Sequence, residues 1–303
     1  MEETQQQLRE TAKRLLAEGQ VNLVIGWREG TMRGRVQPAF LTQPDEAQQL
    51  VWSPLCNLNL AKYVRGLPPR AAVVVKGCDL RAVQVLLREH QLKREDLYCI
   101  GVACPGMVDV SRLDELTDDQ LRSQPADELL DPHCLMCEAN IPDGADVILG
   151  EVPRRQPAAQ DPTLAPLLAR APEQRLGHFV QAWERCLRCS ACIKSCPLCY
   201  CTTCFAEQIK PQWVPRRVRI QENQMFQLGR AMHLAGRCVG CGDCQRACPV
   251  NLPLRALNAR IAADIAELFG RWEPTDEELP TFLRYEQDDT EAAIEGAVKA
   301  GPR

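Results

Sequence analysis

Two short segments of this chain carry cysteines at the same spacing, and this repetition limits the possible folds more than any other feature. Residues 185–204 read RCLRCSACIKSCPLCYCTTC, and residues 237–249 read RCVGCGDCQRACP. Each segment contains the pattern Cys-x2-Cys-x2-Cys-x3-Cys-Pro. A loop with three cysteines at this spacing can surround a cubane iron–sulfur cluster and give one thiolate to each of three irons. The fourth iron then needs a ligand from outside that loop.

In proteins with two such clusters, the cysteine before the proline of one motif ligates the cluster of the other motif. The spacing therefore predicts two [4Fe–4S] clusters with interleaved ligands. The first cysteine set consists of Cys186, Cys189, Cys192 and Cys248. The second cysteine set consists of Cys238, Cys241, Cys244 and Cys196. The alternative is a zinc-binding scaffold protein, although zinc ribbons use separated Cys-x2-Cys pairs around a single ion.

The charges around the two motifs differ. The first motif carries Arg185, Arg188 and Lys194, whereas the second combines its arginines with Asp243. Reduction adds negative charge to a cluster, and neighbouring cations therefore raise its reduction potential. We predict that the cluster of the first cysteine set has the higher midpoint potential.

Five cysteines lie outside these sets and outside the N-terminal group described below. Cys199, Cys201 and Cys204 follow the first motif and could bind a further metal, exchange disulfides or pack beside a cluster. Cys56, in an apolar stretch that suggests a helix, and Cys99, within a predicted strand, are expected to be packing residues.

The composition restricts the compartment and the partners. The chain has 303 residues, 17 cysteines and a formal net charge of −4. A dense array with an odd number of cysteines indicates metal or redox chemistry in a reducing compartment. The polar start has no signal-peptide pattern and no apolar run is long enough to span a membrane, so we expect a cytoplasmic protein. The acidic balance argues against nucleic acid as a partner.

The half of the chain before the motifs predicts an α/β domain. Short apolar runs at residues 21–27, 71–77, 97–104 and 145–151 are typical of buried strands. A helical pattern at 79–92 connects the second run to the third. A strand, a helix and a strand at this spacing indicate a mostly parallel sheet.

Four further cysteines follow these predicted strands. Cys78 and Cys104 lie at strand ends, and Cys134 and Cys137 form a Cys-x2-Cys before the last strand. Ligand sites in open α/β sheets gather at the carboxyl ends of the strands. We therefore predict a third [4Fe–4S] cluster on this third cysteine set. The alternative is that Cys78 and Cys104 are core residues and that the other two form a redox pair.

Composition and pattern divide the chain into four segments. The second half is predicted to be mostly helical, and prolines concentrate between the two halves. The segments are an α/β domain at 1–152, a proline-rich linker at 153–175, an α-helical two-cluster ferredoxin domain at 176–272 and an acidic tail at 273–303.

Both halves resemble known families. Residues 70–151 contain KGC after a strand, IGVAC after the next strand and CLMC ahead of ADVILG. In these features the N-terminal half resembles the beta-subunit family of coenzyme F-420-reducing hydrogenases and formate dehydrogenases. The long helical span between the two motifs resembles the two-cluster domains of heterodisulfide reductase small subunits and succinate dehydrogenase iron–sulfur subunits. The whole chain resembles bacterial iron–sulfur subunits of formate dehydrogenase or heterodisulfide-reductase-type complexes.

The resemblance implies an electron-transfer subunit of a cytoplasmic oxidoreductase of anaerobic metabolism, with other subunits of a redox complex as its partners. It also implies FAD, for which no contact residues are assigned because the sequence has no GxGxxG fingerprint. No residue is expected to be catalytic, since bond-making chemistry would lie on a flavin or on a partner subunit. The alternative is a self-contained flavin-containing iron–sulfur oxidoreductase that acts on a nicotinamide or deazaflavin carrier.

Overall fold

The computed structural model describes residues 1–270, and the predicted acidic tail at 273–303 lies outside them. The N-terminal half contains a five-stranded sheet with the strand order β2-β1-β3-β4-β5. Strand β2 pairs with β1 in the antiparallel direction, and the other three pairings are parallel. The strands are β1 (Leu23–Glu29), β2 (Val36–Leu41), β3 (Ala71–Val75), β4 (Leu97–Val102) and β5 (Val147–Leu149).

Four of these strands match the apolar runs of the sequence, and the mostly parallel sheet is confirmed. Strand β2 was not predicted. Its residues, VQPAFL, include Pro38, which cannot donate a ladder hydrogen bond. Proline is tolerated here because β2 is the edge strand of the sheet.

Helices dominate the rest of the described chain. The long helix α2 corresponds to the helical pattern at 79–92, and the long helices α5, α7 and α9 lie in the half that was predicted to be mostly helical. The α-helices are α1 (Glu2–Ala17), α2 (Gly77–Arg88), α3 (Pro132–Leu135), α4 (Ala165–Leu168), α5 (Pro172–Glu184), α6 (Ala191–Ser195), α7 (Ile220–His233), α8 (Asp243–Arg246) and α9 (Leu254–Phe269). Short 3-10 helices occupy Pro44–Gln49, Leu60–Tyr63, Arg94–Asp96, Val110–Glu115 and Asp127–Leu129. The C-terminal part of the described chain is thus helical, as predicted.

The main hydrophobic core covers the sheet and also receives residues from the second half of the chain. Strand β3 is buried along its whole length. Leu198 and Leu234, which flank the two cysteine motifs, belong to the same core. A smaller core contains Phe226 and Leu252. The two halves therefore pack against each other, and the domain boundaries stay a prediction.

The proline-rich segment 153–175 is not wholly irregular, because it contains α4 and the first residues of α5. Cys56 lies in a turn and not in the helix that the apolar stretch suggested, but it is fully buried as a packing residue. Cys99 is buried within β4, as expected. Within residues 1–270 no helix is both long enough and apolar enough to cross a lipid bilayer.

Candidate metal centres

The first cysteine set lines a single cavity, although its members come from both motifs. Three of them lie in the loop between α5 and α6 and within α6, and Cys248 reaches the same cavity from the loop after α8. Arg188 and Ser190 in this loop have φ angles of 50° and 61°, a region that non-glycine residues rarely adopt. Such strain is concentrated at functional sites. The loop is therefore held in a costly conformation around the cavity.

Hydrogen-bond donors point at the sulfurs of the first set. The Gln227 side-chain amide donates to Cys186 Sγ at 3.3 Å, and the Leu252 backbone N–H donates to Cys248 Sγ at 3.4 Å. Such donors stabilise thiolates and raise the potential of a cluster bound through them. Burial raises the pKa of Cys192 to about 11.

The second cysteine set lines another cavity, again with members from both motifs. Cys196 joins three cysteines of the loop between α7 and α8 and of α8 itself. Gly240 and Gly242 adopt positive φ angles of 69° and 77°, which let the loop close around the cavity without strain. Burial raises the pKa of Cys244 to about 11, and the Asn258 amide lies 3.8 Å from its sulfur.

The third cysteine set lines a cavity of about 360 Å³ at the carboxyl edge of the sheet. Cys78 lies in the first turn of α2, directly after β3, and Cys104 follows β4. The cavity depends on Gly77, since a Cβ atom there would lie 1.5 Å from the carbonyl oxygen of Ala139. Any side chain at position 77 would push away the loop that carries Cys137.

Backbone amides also face the third set. The N–H groups of Gly106 and Met107 lie 3.4 Å from Cys104 Sγ and 3.3 Å from Cys134 Sγ. Burial raises the pKa of Cys104 to about 12 and raises that of Cys134 further. Buried Lys76, whose Nζ lies 2.8 Å from Asp79 Oδ2, lies on the cavity wall.

The second and third cavities are neighbours. Both are lined by the segment 238–240 and by residues of α9. The second and third sets therefore lie beside each other.

A buried network of charges fixes the second motif to the sheet domain. Arg246 donates to Asp131 Oδ2 at 3.1 Å and to the carbonyl oxygen of Asn57 at 2.9 Å, and it also pairs with Asp243. The Asn59 backbone N–H donates to Asp243 Oδ2 at 2.7 Å. The contacts with Asp131, Asn57 and Asn59 join segments that are more than 100 residues apart in sequence.

His133 belongs to the same network and was not predicted to have a role. Its Nδ1 lies 2.7 Å from Asp131 Oδ1, and its Nε2 lies 3.4 Å from Cys134 Sγ. Burial lowers the pKa of His133, although Asp131 opposes this shift. The spacing of the histidines in the sequence did not indicate this role. His133 contacts its neighbours Asp131 and Cys134 and also Arg246, which is distant in sequence.

The buried sulfurs fit iron–sulfur clusters. Free thiols with the raised pKa values of Cys104, Cys192 and Cys244 would stay protonated at neutral pH. Metal coordination removes such protons outright. Within residues 1–270 no three His, Cys, Asp or Glu side chains are placed to hold one metal ion. A cubane binds each cysteine through a different iron, and its ligands therefore surround a space, as the members of each set do here.

The cysteines after the first motif do not line any of the three cavities. Cys199 is partly buried, packs against both hydrophobic cores and contacts Cys196. Cys201 is exposed and Cys204 is partly buried. An extra thiol or metal site on these three residues stays a prediction.

Comparisons with known proteins support iron–sulfur chemistry in the second half of the chain. Residues 182–252 match the model of the 4Fe–4S dicluster domain. The "F420-dependent formate dehydrogenase subunit beta" of Methanocaldococcus jannaschii is 23% identical, over 82% of this chain and 86% of the relative. The "F420-dependent formate dehydrogenase 1 subunit beta" of Methanococcus maripaludis is 22% identical, over 89% of this chain and 91% of the relative.

Among solved structures, a chain of the F420-reducing [NiFe] hydrogenase complex from Methanosarcina barkeri is 15% identical. The similarity covers 46% of this chain and 60% of that chain with a TM-score of 0.36, which is too low to support a conclusion. Residues 182–252 therefore form a 4Fe–4S dicluster domain, within a chain that is homologous over most of its length to formate dehydrogenase beta subunits.

Proposed function

We propose that this protein is the iron–sulfur electron-transfer subunit of a multi-subunit oxidoreductase. The observation that carries the proposal is that two cavities are each lined by four cysteines drawn from both motifs. Clusters bound there would supply one-electron transfer. The relatives in the comparisons are named as subunits of formate dehydrogenases, which supports a role within a larger complex. The abundance of free thiols favours the reducing cytoplasm as its compartment.

Anaerobic purification tests this function directly. We expect a brown protein with absorbance near 400 nm, acid-labile sulfide and further oxidoreductase subunits that co-elute from the native host. A colourless preparation that contains zinc and lacks acid-labile sulfide would instead support the scaffold interpretation.

We further propose that the third cysteine set holds a third [4Fe–4S] cluster. The cavity wall that it shares with the second set supports this assignment, because it puts the third set beside the second. The cysteines, the amides of Gly106 and Met107 and the charge of Lys76 would bind and stabilise the centre. FAD stays a proposal based on resemblance, and fluorescence of flavin released from the denatured protein tests it.

Substitution of Cys134 by alanine tests the third site. Because each cysteine holds one iron, we expect Cys134→Ala to lower iron and acid-labile sulfide by about four atoms each per chain. The electron paramagnetic resonance (EPR) signals of the other two clusters should persist. Cys99→Ala is the matched control, since Cys99 is buried in the same domain but does not line the cavity. Equal iron content in both variants would contradict a third cluster.

The first set includes an exposed cysteine, which supports this site as the contact point for a partner. Cys189 is exposed, and the neighbouring Leu187 has 57% of its surface exposed. Arg188 donates to the carbonyl oxygens of Pro215 and Arg217, at 2.7 and 3.2 Å, and so holds the exposed basic segment 215–219 beside this loop. Such a surface suits an acidic partner, because complementary charges steer association.

The structure also supports a higher potential for the cluster of the first set. In the second motif, Arg237 pairs with Glu89, and Arg246 pairs with Asp243 and Asp131. Within the described chain, Arg188 of the first motif donates hydrogen bonds only to backbone carbonyl oxygens. Its positive charge is therefore not neutralised by a carboxylate within that part of the chain.

Charge reversal at Arg188 should lower the midpoint potential of this cluster. We expect Arg188→Glu to reduce the equilibrium constant for its reduction by about threefold, or about 30 mV for one electron. The other midpoints should change less, because solvent screens charges at longer range. An EPR redox titration measures the shift. Arg14→Glu, on the exposed surface of α1, is the control for the same change in net charge. If Arg14→Glu lowered the midpoint potential of this cluster as much as Arg188→Glu does, a local effect of the Arg188 charge would be contradicted.

A further inference from the structure

Helix α7 runs between the cavities of the first and second cysteine sets. Phe226 and Gln227 line the first cavity, and Leu234, directly after the helix, lines the second. Positions 227, 230 and 234 follow the spacing of one helix face. Arg230 therefore lies on the same helix face as Gln227 and Leu234, between the residues that line the two cavities.

The guanidinium of Arg230 is buried without enough hydrogen-bond acceptors. The residue has 3% of its surface exposed, and its Nε and Nη1 atoms have no hydrogen-bond partner within residues 1–270. A buried, unpaired donor on a charged group costs a large desolvation penalty. Native structures avoid this cost, and such donors indicate an acceptor that belongs at the site.

The groups whose charge acts on Arg230 are cysteines of both motifs and Cys199. Burial alone would lower the pKa of Arg230, but the thiolates of Cys244, Cys192, Cys196 and Cys199 raise it overall. Arg230 is in no ion pair within the described chain. Arg255, another buried arginine, instead forms an ion pair with Asp161, in which Nη2 lies 2.6 Å from Oδ2.

We propose that Arg230 is the shared counter-charge of the two C-terminal [4Fe–4S] sites. The inference rests on the proposed function, because it requires clusters in both cavities. With clusters bound, the unpaired N–H groups of Arg230 would donate to sulfur atoms at these two sites. Its fixed positive charge, in a region from which water is excluded, favours the reduced state of each centre. Arg230 is thus a tuning residue that acts on two clusters at once.

The test is an anaerobic EPR redox titration of the full chain with three variants. Arg230→Gln removes the charge, and Arg230→Lys keeps it but loses the planar set of donors. We expect Arg230→Gln to reduce the reduction equilibrium constant of both C-terminal clusters by about tenfold, which corresponds to about 59 mV each. Arg230→Lys should shift both midpoints in the same direction by less. Arg188→Gln, at the surface beside one cavity, should move only the first cluster.

Iron and sulfide contents separate tuning from a merely structural role. Full cluster content with both midpoints lowered supports the proposal. Full content with only one midpoint lowered, or with neither lowered, overturns it. If Arg230→Gln fails to retain its clusters, Arg230→Lys decides the matter, because its two midpoints must still fall together. A wild-type chain without clusters would refute the proposed function instead, which is a different outcome.

Discussion

Replacement of Cys248 by alanine should remove the cluster of the first motif, although Cys248 belongs to the second motif. Cys248 lines the same cavity as Cys189, whereas Cys241 lines the other cavity. We therefore expect Cys248→Ala and Cys189→Ala to lose the same EPR signal. We expect iron and acid-labile sulfide to fall by up to about four atoms each per chain, since the cluster loses one of its four thiolate ligands.

The converse pair gives the control. Cys196→Ala should lose the same signal as Cys241→Ala, although Cys196 lies in the first motif. Variants would then group by cavity and not by position in the sequence. If Cys248→Ala instead lost the signal that Cys241→Ala loses, each motif would bind its own cluster, and the interleaved assignment would be wrong. Cys56→Ala tests for a general effect of cysteine removal, because Cys56 is buried away from all three cavities.

The groups of cysteines that line the first and second cavities could be predicted from the sequence, because the spacing within each motif is local information. Three cysteines at fixed spacing define a loop that surrounds a cluster, and the Cys-Pro step supplies the remaining ligand to the other loop. The cavities of the first and second sets contain the predicted residues. The third set was predicted from topology, since Cys78 and Cys104 follow adjacent parallel strands.

Elements without a local pattern were missed or misread. Strand β2 contains Pro38 and has no clear alternation of apolar and polar residues, and its pairing with β1 decides its conformation. The apolar residues around Cys56 suggested a helix, but they are buried against the sheet domain in a turn. In both cases tertiary contacts override weak local preferences.

The groups that surround the cysteines could not be predicted either. Arg230 is one arginine of a predicted helix in the sequence, and only the packed structure shows that its side chain is buried with unpaired donors. Arg246 and Asp131 are 115 residues apart, and nothing in either segment signals the other. The sequence therefore predicts which cysteines line each cavity but not which charged groups surround them.

The buried network around Arg246 should stabilise the junction between the second motif and the sheet domain. Its guanidinium is 12% exposed and contacts Asp131, Asp243 and the carbonyl oxygen of Asn57. We expect Arg246→Ala to leave two buried carboxylates without their cation, at a cost of about 3 to 5 kcal/mol. For a chain of this size such a loss lowers the midpoint of thermal unfolding by roughly 10 °C. Circular dichroism under anaerobic conditions measures it.

The matched control for Arg246 is an arginine in an exposed ion pair. Arg154 lies 2.8 Å from Asp143, and both side chains are more than half exposed. Arg154→Ala should cost less than about 1 kcal/mol, because solvent already screens that pair. If the two variants unfolded at the same temperature, the network would not stabilise the junction. If Arg246→Ala unfolded early and also lost the EPR signal of the second set alone, the network would be shown to hold that loop in the shape that its four cysteines require.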